Sequence, residues 1–318
     1  MSLPLELPRL SRARAPLTRE TLVRNEWGER VPSTIPCERA LTVCVDKREL
    51  LTLMTLGGCP ELLVLGFLRN QRLINCAADV ESIAVDWELG AAAVKTHKGI
   101  NQIEQRTARR VVTTGCGQGS VFGGLMDEFE RIELPSTSLQ QSQLYGILNT
   151  IRGQESLYRR AGSVHGCALF SGDEMLVFIE DVGRHNAIDS IAGWMSMNGV
   201  GGADKVIYTT GRLTSEMVIK AAQMGIAITV SRSGITEMGL ELAQRLGLCA
   251  IGRATNKRFL CYSAFERLQF QSEPARTRLR APVNAAHAKS CDEWNTAPSK
   301  VNYPETVPDP TAAMEHPH

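Results

Sequence analysis

The run Glu180-Asp181-Val182-Gly183-Arg184-His185-Asn186 gathers two carboxylates, a guanidinium, an imidazole and an amide directly behind the apolar stretch Met175 to Ile179. Such groups can grip an anion, move a proton or hydrogen-bond a heterocycle, and packing a core calls for none of them. The apolar stretch reads as a strand, and Ala187, Ile188, Ile191, Ala192 and Met195 follow at helical spacing, so the polar cluster falls on a strand-to-helix loop. In open α/β sheets, ligand sites are built from loops at the carboxyl ends of strands, where N–H groups of the next helix point outward. The residues alone leave two readings open: a ligand site, or a helix capped by Asp181 or Asn186 with Arg184 and His185 solvated beside it.

Two later loops have the same character. Thr209-Thr210-Gly211-Arg212-Leu213-Thr214-Ser215-Glu216 and Ser231-Arg232-Ser233-Gly234 each follow an apolar strand and precede a helix, with hydroxyls and one arginine apiece. Any one could be an ordinary cap. Three adjacent ones, each with an arginine, favour a single rim that binds a nucleotide or pterin phosphate.

Upstream lies Thr113-Thr114-Gly115-Cys116-Gly117-Gln118-Gly119-Ser120, a glycine-dense loop that would expose its cysteine. A cysteine can carry sulfur as a persulfide or act as a soft nucleophile, although a chance cysteine in a connector has the same pattern. Val164-His165-Gly166-Cys167 stands where the His-x-Glu motif of a zinc deaminase would. That chemistry needs a proton-transferring glutamate and a later Cys-x-x-Cys, and the sequence has neither. His165 therefore reads as a satisfied or ligand-contacting side chain, and no metal site is expected.

The elements that must hold these loops are legible from periodicity. Leu41, Val43 and Val45 alternate with polar partners as a strand, Glu61 to Leu68 forms a helix opened by Pro60, and Val80 to Val85 and Arg110 to Val112 are short strands. In the second half, Ser138-Leu139-Gln140-Gln141 fits a capping box ahead of a helix that Gly153 closes. Strands Cys167 to Ser171 and Met175 to Glu180 follow, then strand Lys205 to Thr210, helix Leu213 to Met224, strand Ile226 to Ser231, helix Ile235 to Leu246, and strands Leu248 to Ile251 and Phe259 to Ser263. That order predicts an α/β fold, a mixed sheet flanked by helices, with a smaller N-terminal α+β domain.

The expected boundaries are a flexible segment over 1–25, the small domain over 26–112, the loop carrying Cys116 over 113–136, the larger domain over 137–270 and a disordered tail over 271–318. Seven of the 14 prolines fall in that tail and apolar periodicity stops there. The net charge of +1 gives no chain-wide pull toward nucleic acid or membranes, and no apolar run approaches transmembrane length. The N-terminal residues lack the apolar core of a signal peptide, so a cytoplasmic protein is expected. Nine scattered cysteines do not resemble a disulfide framework, and most should be free thiols, with Cys44, Cys59, Cys249 and Cys261 as small core or near-core residues.

From about Glu26 to Ser263 the chain resembles the FdhD family of sulfur carrier proteins. The resemblance rests on Pro36-Cys37-Glu38-Arg39-Ala40-Leu41-Thr42-Val43, Glu61 to Leu68, Gly162-Ser163-Val164-His165, the Asp181-Val182-Gly183-Arg184-His185-Asn186 run and Thr210-Gly211-Arg212. It implies a larger domain like that of cytidine deaminases without their zinc. It also implies a function: Cys116 takes persulfide sulfur from a cysteine desulfurase and delivers it to the molybdenum or tungsten bis-pterin guanine dinucleotide cofactor of formate dehydrogenase. The family's loop carries Cys-x-x-Cys, and here the second position is Gly119. A single cysteine can hold a persulfide but cannot resolve it within the loop, which keeps alive the alternative of a cofactor-binding chaperone that moves no sulfur.

The resemblance places the client cofactor, or a guanine nucleotide in the same site, on His165, Asp181, Arg184, His185, Asn186, Gly211, Arg212, Ser231 and Arg232. It adds a late short loop, Gly252-Arg253-Ala254-Thr255-Asn256-Lys257, whose two cations suit a pyrophosphate. The partners implied are the desulfurase and formate dehydrogenase, with a homodimer conceivable and no nucleic acid or membrane expected.

Overall fold

The computed structural model describes residues 6–100, 111–112, 119–120 and 132–271. Cys116 and most of the tail lie outside them. The chain begins with β1 (Arg9–Leu10), the hairpin β2 (Thr18–Arg24) and β3 (Arg30–Pro36), then β4 (Arg39–Val45) and β5 (Arg48–Thr55). Helix α1 (Pro60–Asn70) leads to β6 (Val80–Asp86) and β7 (Ala91–Thr96), and a five-stranded sheet runs β1-β6-β7-β4-β5. The alternation along β4 settles its register: Leu41, Val43 and Val45 are buried and the residues between them are not. Short strands β8 (Val111–Val112) and β9 (Gly119–Ser120) pair antiparallel.

The segment expected to be flexible over 1–25 instead carries two strands. Arg9 and Leu10 add a parallel edge to β6, and β2 pairs with β3 along its whole length. The buried Glu61 carboxylate then ties this segment down, accepting the Ser11 hydroxyl at 2.5 Å and the Ala13 N–H at 2.7 Å.

The second half opens with β10 (Leu139–Gln140), α2 (Gln141–Gly153) and the short α3 (Leu157–Ala161). The capping residues are displaced by two from those expected: Gln140 begins α2, and its N–H donates to Gln143 Oε1 at 2.9 Å. Then come β11 (His165–Ser171), β12 (Glu174–Asp181), α4 (Arg184–Asn198), β13 (Lys205–Thr209), α5 (Ser215–Gln223), β14 (Ile228–Ser231), α6 (Glu237–Leu246), β15 (Cys249–Thr255), β16 (Arg258–Cys261) and β17 (Leu268–Gln269). β17 pairs with β10. The other strands form a mixed sheet in the order β12-β11-β13-β14-β15-β16, in which β13, β14 and β15 are parallel and β11 opposes both of its neighbours.

Both faces of this sheet are buried. Cys167, Leu169, Val177, Ile179 and Ile207 face α4 and α5, while Ala168, Phe170, Tyr208, Val230 and Ile251 face the side covered by α2. Helices α5 and α6 start two residues later than periodicity predicts, because Leu213 and Ile235 pair with each other as a parallel bridge rather than opening a helix. The expected late loop is mostly strand. Gly252 to Thr255 continue β15 through an irregularity, Ala254 is buried in the core, and only Asn256 and Lys257 form the turn to β16.

The first core cluster runs without a break from the N-terminal sheet through α1 into α4 and the large sheet. α1 and α4 cross at two glycines. A Cβ on Gly66 would lie 1.7 Å from the Asp189 carbonyl oxygen, and one on Gly193 would lie 2.0 Å from that of Leu62. Only glycine permits backbones this close. α4 is consequently buried from Arg184 to Met195, pressed between sheet and helix. Among the described residues, no helix is long and apolar enough to cross a membrane.

Candidate functional site

Strand register collects the three arginine-bearing loops on one edge of the large sheet. His165 begins β11 and pairs with Asp181 at the end of β12, Cys167 pairs with Thr209 at the end of β13, and Thr209 pairs with Ser231 at the end of β14. The loops are stitched together by their own polar groups. Thr210 Oγ1 accepts the Gly166 N–H at 3.0 Å and lies 3.5 Å from His165 Nδ1, the Ser231 hydroxyl donates to the Gly211 carbonyl at 2.7 Å, and the Ser233 hydroxyl donates to that of Thr210 at 2.9 Å. The Arg232 N–H donates to the Thr209 carbonyl and the Arg253 N–H to that of Ser233. These bonds fix the backbone and leave the Arg212, Arg232 and Arg253 side chains exposed at the edge.

Gly211 makes room for Arg184. A Cβ at Gly211 would come within 2.7 Å of the Arg184 Cδ, so the guanidinium stem lies against that loop. The result is a cationic edge. Burial, followed by the positive charges of Arg184 and Arg212, holds the half-buried His165 below the usual histidine range, so it faces the edge as a neutral imidazole at pH 7. The Arg232 guanidinium sits 5.9 Å from the centre of the exposed Tyr158 ring. Tyr158 is itself placed by Glu180, whose carboxylate accepts the N–H groups of Leu157 and Tyr158 at the start of α3.

The structure separates the Asp181–Asn186 run into two roles. Arg184 faces the Gly211 loop, whereas Asp181 and Asn186 turn inward. Asp181 Oδ2 accepts the Thr55 hydroxyl at 2.5 Å and the Leu56 N–H at 3.1 Å, and its Oδ1 accepts the Gly183 N–H and the Asn186 amide. Asn186 also donates to the Met54 carbonyl at 2.7 Å. The bonds described for these two residues stay within the protein and join the N-terminal sheet to α4. Burial raises the Asp181 carboxyl above its usual value against the pull of those donors.

His185 is buried as well. Its Nε2 lies 3.3 Å from Glu216 Oε2, and Glu216 Oε1 lies 3.3 Å from Lys220 Nζ, which bonds Asp189 Oδ2 at 2.7 Å. Asn70, from α1, completes the set with a 2.7 Å bond to Asp189 Oδ1. Burial pushes His185 down to about 3, so it is neutral here, and it works against the Lys220 charge too. Asp189 and Glu216 more than compensate, and Lys220 ends above its usual value. Sequence reading missed Glu216, Lys220 and Asp189. Their signal was present: charges set among apolar neighbours on helices, with Glu216 and Lys220 one turn apart.

Cys167 is shut away inside the sheet. Its fully buried thiol donates to Thr209 Oγ1 at 3.3 Å, and burial raises it to about 12. Cys37, Cys44, Cys76, Cys167, Cys249 and Cys261 are free thiols, while Cys59, buried in the core as expected, is disulfide-bonded.

Comparison with known proteins covers most of the chain. A sulfur carrier protein FdhD from Bacillus licheniformis is 31% identical over 259 residues, covering 80% of this chain and 97% of its own. The corresponding protein from Bacillus subtilis is 29% identical over 260 residues, covering 78% and 98%. A crystal structure described as a formate dehydrogenase accessory protein from Desulfotalea psychrophila superposes with a TM-score of 0.64 at 26% identity, over 80% of this chain and 100% of that one. The sequence pattern of one family, FdhD/NarQ, matches residues 36–269, a span that takes in strands β4 to β7 of the N-terminal sheet, the crossing of α1 and α4 and every loop of the cationic edge. This chain belongs to the FdhD/NarQ family.

Proposed function

We propose that the protein is a cytoplasmic sulfur carrier that serves a formate dehydrogenase. Cys116 accepts sulfur from a cysteine desulfurase and passes it to a molybdenum or tungsten bis-pterin guanine dinucleotide cofactor seated on the cationic edge. In the first step the Cys116 thiolate attacks the outer sulfur of the desulfurase persulfide. A new S–S bond forms at Cys116 as the old one breaks, and the desulfurase thiolate leaves. The cofactor is cargo in this scheme, and Arg184, Arg212, Arg232 and Arg253 would face its phosphates, with neutral His165 beside them.

The observation that carries the reading is the convergence of arginines from separate loops on one sheet edge, in a chain whose relatives are named sulfur carrier proteins. The sheet order, with β11 opposing its neighbours and β13 to β15 parallel, supports a cytidine-deaminase-like arrangement for the larger half. Any homodimer and the contact with the desulfurase belong to the same proposal.

Intact-protein mass spectrometry after incubation with a cysteine desulfurase and cysteine tests it. A reducible gain of about 32 Da in wild type, absent from Cys116→Ala, is expected. No gain, or an equal gain in both, defeats the assignment. Gly119 at the second loop position favours one other reading, a chaperone that binds the cofactor without moving sulfur. Under it, Cys116→Ala would still activate formate dehydrogenase.

A further inference from the structure

Cys249 and Cys261 bring two free sulfurs to 3.8 Å across the edge pair β15 and β16. Cys261 stands opposite Ile251, and Cys249 lies two residues earlier on the same strand, so the two side chains share one face of the sheet on a diagonal. Their exposure differs. Cys249 is wholly buried beneath the sheet, and Cys261 is only partly covered. Nothing else lies between the sulfurs, and a shift of roughly 1.8 Å would bring them to bonding distance.

We propose that Cys249 and Cys261 form a thiol–disulfide site that reacts with small-molecule disulfides of the glutathione type and closes into a reversible cross-strand bond. The outer thiol reacts first. Cys261, as thiolate, attacks one sulfur of the small disulfide, forming a mixed disulfide and expelling one small thiolate. Cys249 then gives up its proton and attacks Cys261 Sγ, forming the Cys249–Cys261 bond and expelling the second small thiol. The two protein thiols are oxidised, the small disulfide is reduced to two thiols, and no other oxidant is needed.

The local electrostatics divide the labour in the same way. A hydrogen bond from Cys249 lowers the Cys261 thiol below its usual value, while that bond and burial raise Cys249, leaving it a resolving thiol that acts only on a sulfur delivered beside it. Thiol–disulfide exchange runs in both directions, so the site opens again when small thiols are in excess.

The test uses the full chain in buffers of increasing glutathione disulfide to glutathione ratio, quenched with acid, alkylated and mapped by peptide mass. Exposed Cys76 serves as internal control for reagent reactivity. The expected product is a linked Cys249–Cys261 peptide, about 2 Da lighter than the dithiol form, reversed by added thiol. In Cys249→Ser the reaction should stop at a stable mixed disulfide on Cys261. Cys261→Ser, at the better tolerated outer position, should abolish reaction at both. If wild type accumulates only the mixed disulfide at Cys261, or if neither residue reacts while Cys76 does, the inference is overturned.

Discussion

Replacing Gly193 by alanine drives a methyl group into the carbonyl of Leu62 on the neighbouring helix, at 2.0 Å where contact requires about 3.5 Å. Neither partner is a side chain that can swing away, so α1 and α4 must part by roughly 1.5 Å. Overpacking of this kind costs about 1–3 kcal/mol, against a gain of about 1 kcal/mol from the better helix former. The parting also strains four hydrogen bonds across the joint, from Thr55, Leu56, Asn186 and Asn70. Each has a net value near 1 kcal/mol, and the expected loss is therefore roughly 2–5 kcal/mol. At about 2–4 °C per kcal/mol for a chain of this size, that is a fall of roughly 4–20 °C in Tm. Urea titration of Gly193→Ala beside Gly153→Ala is the assay, because a Cβ at Gly153 meets nothing within 4 Å. Gly66→Ala should be worse than Gly193→Ala. If Gly193→Ala proves as stable as Gly153→Ala, the close crossing is not what holds the halves together.

Other changes separate joint from edge. Asp181→Ala strands the Thr55 hydroxyl and two backbone N–H groups in the interior and removes one of the two acceptors of the Asn186 amide, and should lower the urea-derived stability by roughly 3–5 kcal/mol. Lys220→Met leaves Asp189 and Glu216 buried without their cation, with a similar loss of about 3–5 kcal/mol in the same assay. Arg212→Ala and Arg232→Ala should leave Tm unchanged while weakening guanine-nucleotide binding about 10- to 100-fold each by calorimetry, since charge-assisted bonds contribute about 1.5–3 kcal/mol. Burial holds His185 at about 3 against an ordinary 6.5, so between those pH values the unfolded chain takes up a proton that the folded chain does not. That stability is complete above pH 6.5 and is lost toward pH 3 at up to about 1.4 kcal/mol per unit. The raised Asp181 and Asp189 act in the opposite sense, so the readout is the difference from His185→Gln, whose stability should fall less steeply over this window. Equal slopes would assign the proton elsewhere.

Local signals carried the larger half well. Strands β11 to β14 and helices α4 to α6 follow the apolar periodicity and end at glycines such as Gly199 and Gly247, both of which cap their helices in the left-handed conformation. The edge was legible because hydroxyl and arginine residues recur after each strand. What escaped was long-range. β1 pairs with a strand more than 70 residues away, and its proline- and arginine-rich surroundings carry no periodicity. The inward turn of Asp181 and Asn186 depends on Met54, Thr55 and Leu56, which no local pattern around Asp181 announces. Charged residues near a strand end look alike whether they face a ligand or a neighbouring domain.

The crossing of α1 and α4 also orders events in time. About 130 residues separate Leu62 from Gly193, and at roughly 5–20 residues per second the ribosome needs on the order of 10 s to make the second helix after the first. During that interval the apolar flank of α1, with its notch at Gly66, has no native cover. The nascent N-terminal sheet has all its strands by Thr96, yet its helix must hold open a seat that only a later part of the same chain can fill.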